Sequence, residues 1–282
     1  MKHIIDLHCH SKASDGKLSP TEVVLRAKSK GVNLLSLTDH DTIDGLTEAI
    51  GAANAAGVRL VKGIEVSCTW NNINIHVLGY GFNVDSQPLQ ELLATLKKAR
   101  WVRALEIAEK LQKKEIINLL DKAIKHQDQQ FTSNIGPGRP HFAKAMVSEG
   151  YVKTEKEAFQ RWLGAGKVGD VKQYWPNLGE VVNILHQSGA WISLAHPLQY
   201  NMTRTKLCSL LREFIASGGH ALEVANGFQP AEQVGKLANL ARDFGLLVSA
   251  GSDFHYPNLW GELGLYRSIP EDLTPLWTKF SV

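Results

Sequence analysis

Short apolar runs alternate with amphipathic helical patterns along roughly the first eighty residues of the chain. The strand-like runs are "HIIDLHCH", "NLLSLTDHD", "VRLVKGIEVS" and "INIHVLGYGF", and the helical patterns between them are "SPTEVVLRAKSKG" and "GLTEAIGAANAAG". Ser19-Pro20, with Glu22 in the first turn, marks the start of the first helix, and Gly31 marks its end. Repeated β-α-β units of this kind predict parallel strands.

The pattern changes at about Gln87. A long charged helical stretch, "LQELLATLKKARWVRALEIAEKLQKKEIINLLDKAIKHQ", leads to the loop "SNIGPGRPHF" and then to more helix through Trp162. Strand and helix patterns resume in "LGEVVNILHQSGAWISLAHP" and continue through "VGKLANLARDFGLLVSAGSDFH". We therefore predict an α/β fold in which a β/α barrel, residues 1–98 and 172–282, is interrupted by a helical insertion domain, residues 99–171.

Composition narrows the class of protein. The 282 residues are 44% apolar and 21% charged, with a formal net charge of +3, which is typical of a globular protein and not of a nucleic-acid coat or a membrane-surface binder. Cys9, Cys68 and Cys208 are too few and too widely spaced for a disulfide framework. No signal-like start and no apolar run of about 20 residues is present, so we expect a cytoplasmic protein without membrane contact.

Potential metal ligands cluster where the predicted strands end. Side chains of a strand alternate between its faces, so His8 and His10 share one face while Cys9 points away. An isolated pair of this kind is equally consistent with hydrogen-bonded core histidines. Most later strands, however, also end in a potential ligand, and strand ends of a β/α barrel converge on one face; these residues are His40, Glu65, His76, His196, Asp253 and His255.

The number of these ligands indicates more than one metal ion. Together with Asp15, which follows the first pair on a turn-forming segment, they make six imidazoles and three carboxylates. Nine ligands are too many for one ion with open positions, so two or three divalent ions are predicted, with Glu65 as the bridging carboxylate. Imidazole and oxygen ligands without thiolate suit Mn²⁺, Fe²⁺ or Zn²⁺.

The ordered motifs "DLHCHSKASDG", "LTDHDT", "GIEVS", "HVLGYGF", "LAHP" and "GSDFH" resemble those of the PHP (polymerase and histidinol phosphatase) family. The resemblance implies an amidohydrolase-like, distorted (β/α)₇ barrel with a trinuclear centre, for which we expect manganese, with iron or zinc as alternatives. It implies three sets of ligands: His8, His10, Glu65 and Asp253 for a first, catalytic ion; Glu65, His76 and His196 for a second; Asp15, His40 and His255 for a third.

Such a centre predicts phosphoester hydrolysis by a metal-bridging hydroxide, because clustered ions activate water and neutralise phosphate charge. No Ser-His-Asp triad is needed and none is evident. A metal-bound water or His141 is the candidate that protonates the leaving oxygen.

The insertion carries a second candidate site in "NIGPGRPHF". Arg139 has the fork geometry that grips a phosphate, and Gly136 and Gly138 permit close approach of backbone to a ligand. The alternative is a helix-entry turn with Pro140 in the first turn and a solvated Arg139.

The same loop makes the chain similar to the PHP subgroup of nucleotide bisphosphate phosphatases and 5'-to-3' exoribonucleases. By that resemblance Arg139 and His141 hold the substrate's second phosphate, and Lys144 and Lys172 are within reach of such a ligand.

We therefore expect a metal-dependent phosphoesterase that removes the 3'-phosphate of nucleoside 3',5'-bisphosphates, releases 5'-nucleotides from short 5'-phosphorylated RNA or DNA, or does both. No obligate protein partner is inferred. One alternative is a phosphatase of a small non-nucleotide monoester such as histidinol phosphate, and the other is a non-catalytic metal-binding module. The insertion with Arg139 argues against the first, and the intact ligand set argues against the second.

Overall fold

The computed structural model describes residues 4–127, 130, 135–171, 175–258 and 261–280. The chain divides into two compact units, one formed by Met1–Leu92 with Pro176–Val282 and the other by Leu93–Trp175. The sequence-based boundaries of the insertion, 99–171, lie inside the second unit. No helix in the described ranges is both long enough and apolar enough to cross a membrane.

The first unit is built on a sheet whose seven strands follow one another in chain order. They are β1 (Ile4–Asp6), β2 (Val32–Leu37), β3 (Arg59–Trp70), β4 (Ile73–Tyr80), β5 (Trp191–Leu194), β6 (Ala221–Asn226) and β7 (Leu247–Gly251). Backbone bonds close the ring between its first and last strands: Leu7 N–H donates to Ala250 O at 3.1 Å, and Asp253 N–H donates to His8 O at 2.8 Å. The predicted seven-stranded barrel is confirmed.

Helices occupy the connections between most strands. In the barrel unit they are α1 (Pro20–Ser29), α2 (Leu46–Ala56), α7 (Leu178–Gln187), α8 (Arg204–Ala216) and α9 (Ala231–Phe244). The residues of α3 (Gln87–Gln112) begin in this unit and continue into the second. The second unit contains α4 (Leu119–Lys125), α5 (Arg139–Ser148) and α6 (Glu155–Ala158). The predicted start of α1 is confirmed, because Ser19 and Glu22 form a reciprocal capping box with Pro20 in the first turn.

One prediction about the sheet was wrong. β1, β2 and β3 are parallel, as are β5, β6 and β7, but β4 runs antiparallel to both of its neighbours. Only Asn71 and Asn72 separate β3 from β4, and both have positive φ, 46° and 61°. That is the geometry of a two-residue hairpin turn, which leaves no room for a crossover helix. His76 therefore lies opposite Ser67 in the first half of its strand, and not at the strand's end as the sequence suggested.

Each unit has its own apolar core. In the barrel, Leu7, Leu78 and Tyr80 are fully buried in one cluster. In the helical unit, α3 and α5 contribute Ile107 and Phe142 to a separate buried cluster. An independent core is the physical property that distinguishes a domain from a long loop.

Candidate metal centre

The structure brings all nine predicted ligands together in one cluster within the barrel unit. Their donor atoms fall into four overlapping groups, and within each group these atoms lie no more than 4.8 Å apart. The groups are His10, Asp15, His40 and His255; His8, His196 and Asp253; His8, His10 and Glu65; His40, Glu65 and His76. These residues lie up to 247 positions apart in the sequence, between His8 and His255, so the fold itself assembles the cluster.

Glu65 lies at the centre of the cluster and is fully buried. Its two oxygens lie within 3.3 Å of one ring nitrogen from each of five imidazoles, those of His8, His10, His40, His76 and His196. Burial raises the pKa of the Glu65 carboxyl, but the surrounding imidazoles of His40, His76 and His8 outweigh burial and hold this pKa well below its usual value. An ionised carboxylate with both oxygens facing several ligands has the geometry of a bridge between cations.

A second carboxylate, Asp15, organises one edge of the cluster. Its Oδ1 lies 3.4 Å from His255 Nε2, and its Oδ2 lies 3.9 Å from His40 Nε2. The ring of His10 stacks on that of His255 with 4.2 Å between the centroids, so His10 belongs to this group as well as to that of Glu65. The predicted division gave His10 to the first ion only, whereas the geometry makes it available to either of two.

His196 is shared in the same way. It lies in a group with His8 and Asp253, and its Nε2 is also 2.8 Å from Glu65 Oε1 and 3.3 Å from His76 Nδ1. The predicted division placed His196 with Glu65 and His76 alone. Neighbouring ligand groups thus share residues on both sides of Glu65.

The donor atoms of this cluster fit a divalent metal. Among the described residues, six buried atoms of the cluster have no hydrogen-bond partner: His8 Nε2, both ring nitrogens of His10, His40 Nδ1, His196 Nδ1 and Glu65 Oε2. Several of them face each other at 3.0–3.3 Å without hydrogen-bond geometry. Buried polar atoms rarely remain unpaired, so this concentration of inward-facing donors indicates a cation site.

Protons compete for the same atoms. Burial lowers the pKa of His255, but Asp15 and Asp253 outweigh burial and raise this pKa to about 10. At His40, burial dominates over the nearby carboxylates and lowers the pKa to about 3. Metal ligation requires neutral imidazole, so a proton on His255 competes with a metal ion for this side chain.

A buried carboxylate that the sequence analysis missed holds His8 in place. Glu223, on β6, is 1% exposed, and its Oε1 lies 2.8 Å from His8 Nδ1. Its Oε2 accepts hydrogen bonds from His196 N–H at 2.7 Å and from Asn226 Nδ2 at 3.1 Å. The signal was a single charge inside the apolar run "ALEVA" of a buried strand, which requires a partner in the interior.

Two further carboxylates fix the loops that carry ligands. Asp39 accepts hydrogen bonds from the backbone N–H and the hydroxyl of Ser11, and Asp41 does the same for Ser67. These bonds tie the segment around His40 to the loop after β1 and to β3. Asp41, His196 and Asp253 all have positive φ, 57°, 25° and 53°, so the backbone is strained where it presents ligands.

The predicted phosphate-binding residues lie in the helical unit. α5 begins at Arg139 with a proline in its first turn, which is the helix-entry turn of the alternative interpretation. Arg139 is not fully solvated, however, because its Nη1 donates to Leu163 O at 3.2 Å and lies 3.6 Å from Asp170 Oδ1. His141 Nδ1 accepts a hydrogen bond from Gly138 N–H at 3.2 Å, so its proton is on Nε2 when the ring is neutral.

The remaining residues of that prediction have different outcomes. Lys144 lies on α5, and Lys172 lies outside the described residues. A Cβ on Gly136 would lie 2.7 Å from the backbone of Arg100 and Trp101, so this glycine permits close packing against α3. Glycine is needed at position 136 because the backbone of α3 lies so close, and not because a ligand approaches it.

Comparison with known proteins places this geometry in a family. The PHP domain profile matches residues 6–187. The chain is 42% identical over 275 residues to the 5'-3' exoribonuclease of Haemophilus influenzae, covering 98% of each chain. It is 36% identical over 276 residues to the 3',5'-nucleoside bisphosphate phosphatase of Chromobacterium violaceum, covering 98% of this chain and 95% of that one. A solved structure of an amidohydrolase from Chromobacterium violaceum, with bound sulfate and no metal, superposes with a TM-score of 0.90 at 35% identity, covering 98% of this chain and 95% of that one. The chain that assembles this cluster of imidazoles and carboxylates belongs to the PHP domain family.

Proposed function

We propose that this protein is a metal-dependent phosphoesterase that hydrolyses the 3'-phosphate of nucleoside 3',5'-bisphosphates and releases 5'-nucleotides from short 5'-phosphorylated RNA or DNA. The observation that carries the proposal is the cluster of nine candidate metal ligands, in which five imidazoles surround the buried carboxylate of Glu65. The exoribonuclease and the bisphosphate phosphatase to which the chain is similar along almost its whole length support the same chemistry and substrate class.

The cluster would hold two or three divalent ions, with manganese as the first candidate and iron and zinc as alternatives. Its proposed ligands are His8, His10, Asp15, His40, Glu65, His76, His196, Asp253 and His255. When bound, such ions supply an activated water and neutralise the negative charge that develops on a phosphate.

Residues around the ligands orient them for this role. Glu223 Oε1 accepts a hydrogen bond from His8 Nδ1–H, so in the neutral ring the lone pair is on Nε2, which faces Glu65 and the centre. The Tyr200 hydroxyl accepts a hydrogen bond from His76 N–H at 2.9 Å and donates to Ala195 O at 2.8 Å, which joins β4 to the segment that presents His196. Both contacts fix ligand orientation before any substrate binds.

The second phosphate of the substrate is proposed to bind Arg139 and His141, with help from Lys144 and Lys172. The guanidinium of Arg139 is suited to this because its contact with Asp170 involves Nη1 and is long, at 3.6 Å, which is not the paired geometry of a guanidinium bound to a carboxylate. His141 is also the proposed general acid. Its Nδ1 is occupied as an acceptor, so the transferable proton is the one on Nε2.

The test is direct hydrolysis by the Mn²⁺-loaded protein. We expect phosphate release from adenosine 3',5'-bisphosphate and stepwise mononucleotide release from a short 5'-phosphorylated RNA, both abolished by a chelator and restored by Mn²⁺. Histidinol phosphate serves as the comparison substrate. Faster turnover of histidinol phosphate than of both nucleotide substrates, or activity that survives chelation, would refute the proposal.

The phosphate-binding role of Arg139 has its own test. Arg139→Ala should raise the KM for adenosine 3',5'-bisphosphate by about 10- to 100-fold, because a charge-assisted hydrogen bond contributes about 1.5–3 kcal/mol. Arg161→Ala is the matched control, since Arg161 is a surface arginine of the same unit paired with Glu157. An unchanged KM in Arg139→Ala would show that this arginine does not bind the substrate.

A further inference from the structure

One face of α3 is exposed within the helical unit. Side chains three or four residues apart lie on the same side of an α-helix. At these spacings six exposed residues form a stripe along α3: Thr95, Lys98, Val102, Leu105, Glu109 and Gln112. This set, the α3 stripe, lies wholly within the helical unit and is about 26 Å long at a rise of about 1.5 Å per residue.

The middle of the α3 stripe is apolar. Val102 is 37% exposed and Leu105 is 54% exposed. Both line a surface groove of about 430 Å³, together with charged residues of α3 and the residue that follows it: Glu106, Glu109, Lys110 and Lys113. Single exposed apolar residues are ordinary on a protein surface, but two neighbours along a groove gain free energy when another apolar surface covers them.

The charges that flank this apolar pair have opposite signs. Lys98 precedes the pair by four residues, and Glu109 follows it by four residues. Glu109 also pairs with Lys113 at 2.8 Å, but both side chains are about two-thirds exposed, so this contact is weak and is easily exchanged for another. A uniformly acidic or uniformly basic partner would therefore meet one favourable and one unfavourable charge along the stripe.

The α3 stripe is complementary to itself when its direction is reversed. We consider a second copy of α3, antiparallel to the first and related to it by a two-fold axis midway between positions 102 and 105. That symmetry places an apolar residue opposite an apolar one, a positive charge opposite a negative one, and an uncharged polar residue opposite another. The pairs, each formed twice, are Val102 with Leu105, Lys98 with Glu109 and Thr95 with Gln112.

The complementarity selects one register. Sliding one helix by seven residues in either direction keeps the two stripes in contact, because seven residues are two turns of the helix. Each of these shifts places Val102 and Leu105 opposite polar or charged members of the stripe: Gln112 and Glu109 in one direction, Lys98 and Thr95 in the other. The central register alone pairs the apolar residues with each other.

We propose that the α3 stripe is a homodimer interface, through which two copies of the protein associate in solution with their α3 helices antiparallel. Four apolar side chains, two from each copy, form the centre of the interface, and a Lys98–Glu109 ion pair lies on each side of it. So small an apolar centre supports weak association, with a dissociation constant of about 10–500 µM.

Sedimentation equilibrium of the full chain over about 5–500 µM tests the proposal. We expect the parent to show a monomer–dimer equilibrium. Leu105→Asp should weaken association by about 10-fold or more, because it places a charge in the apolar centre twice. Ile117→Asp is the matched control, since Ile117 is 55% exposed in the same unit but lies beyond the end of α3; it should leave the dissociation constant unchanged.

Charge reversal tests the antiparallel register. Lys98→Glu alone places two carboxylates opposite each other, and Glu109→Lys alone does the same with two ammonium groups, so each variant should self-associate about 5-fold or more weakly than the parent. An equimolar mixture restores attraction in both pairs, because each new charge meets the new charge of opposite sign on the other copy, and Lys98 of one copy still meets Glu109 of the other. The mixture should associate as tightly as the parent. Lys156→Glu, at an exposed position on α6, is the control and should behave as the parent does.

The outcomes decide the inference independently of the proposed function. A parent that stays monomeric up to about 500 µM would overturn it, as would a dimer that Leu105→Asp does not weaken. A mixture of Lys98→Glu and Glu109→Lys that associates no better than either variant alone would overturn the antiparallel pairing. Circular dichroism and urea unfolding show whether each variant folds, and if Leu105→Asp does not fold, the mixture of charge variants decides.

Discussion

Replacing Glu223 by glutamine tests how the protein prepares His8 for a metal. The carboxylate receives three donors: the Nδ1 proton of His8 at 2.8 Å, the N–H of His196 at 2.7 Å and Asn226 Nδ2 at 3.1 Å. Both oxygens are therefore acceptors. Glutamine has nearly the same shape but only one acceptor oxygen, with an NH₂ group in place of the other.

Either orientation of the new amide has a cost. If its oxygen faces His8, the NH₂ group faces the N–H of His196 and the amide of Asn226, and one buried and one partly buried hydrogen bond are lost. If the NH₂ group faces His8, the imidazole must accept at Nδ1 and carry its proton on Nε2, the nitrogen that faces Glu65. The first orientation destabilises the fold by about 1–3 kcal/mol, and the second removes a metal ligand's lone pair.

We therefore expect Glu223→Gln to bind Mn²⁺ about 10- to 100-fold more weakly, or to lower the free energy of unfolding by about 1–3 kcal/mol. Mn²⁺ titration followed by the EPR signal of free Mn²⁺ measures the first quantity, and urea unfolding of the metal-free protein measures the second. Glu213→Gln is the control, because Glu213 accepts one hydrogen bond, from Trp70 Nε1, away from the cluster. Parent values for both quantities in Glu223→Gln would refute the reasoning.

Three further predictions address other parts of the barrel unit. Asp15→Ala should lower the metal content by about one ion per chain and turnover by roughly 100-fold or more, measured by elemental analysis and by bisphosphate hydrolysis; full metal content would show that Asp15 is not a ligand. Gly251→Ala should lower the free energy of unfolding of the metal-free protein in urea by about 1–3 kcal/mol, because the new Cβ would lie 2.4 Å from the Cβ of His8. An unchanged free energy of unfolding would show that β1 and β7 can move apart there at little cost. At Glu262, burial raises the pKa but hydrogen bonds led by that of Arg26 outweigh it and lower the value to about 2. A carboxyl whose pKa is lower in the folded protein stabilises the fold at pH values above its pKa in the unfolded chain, near 4.5, and this stabilisation is lost as the pH falls toward 2. Glu262→Gln should therefore be less stable than the parent by about 1 kcal/mol at pH 6, and the difference should disappear between pH 4.5 and 2.

The sequence predicted the barrel and identified the nine side chains that cluster in it, because both predictions depend on local order. Alternation along a strand puts His8 and His10 on one face whatever the rest of the chain does. The antiparallel β4 was not predicted, although Asn71-Asn72 carried a turn signal, because the surrounding β-α-β pattern suggested a crossover.

The sequence did not predict that His10 and His196 are each shared between neighbouring ligand groups. Whether His10 belongs with Glu65 or with Asp15 depends on distances between segments far apart in the chain, and in the folded protein both are close. Glu223 escaped notice for a related reason. Its importance comes from contacts with His8 and His196, 215 and 27 residues away, and not from any motif around it.

The contact between β1 and β7 determines when, during protein synthesis, the candidate metal centre can form. Ligands from the start of the chain, at His8 and His10, meet ligands from near its end, at Asp253 and His255, and backbone bonds such as that from Asp253 to His8 join the two. A nascent chain has made most of its barrel before the last two ligands exist. The chain must therefore have emerged from the ribosome beyond His255 before all nine candidate ligands can come together.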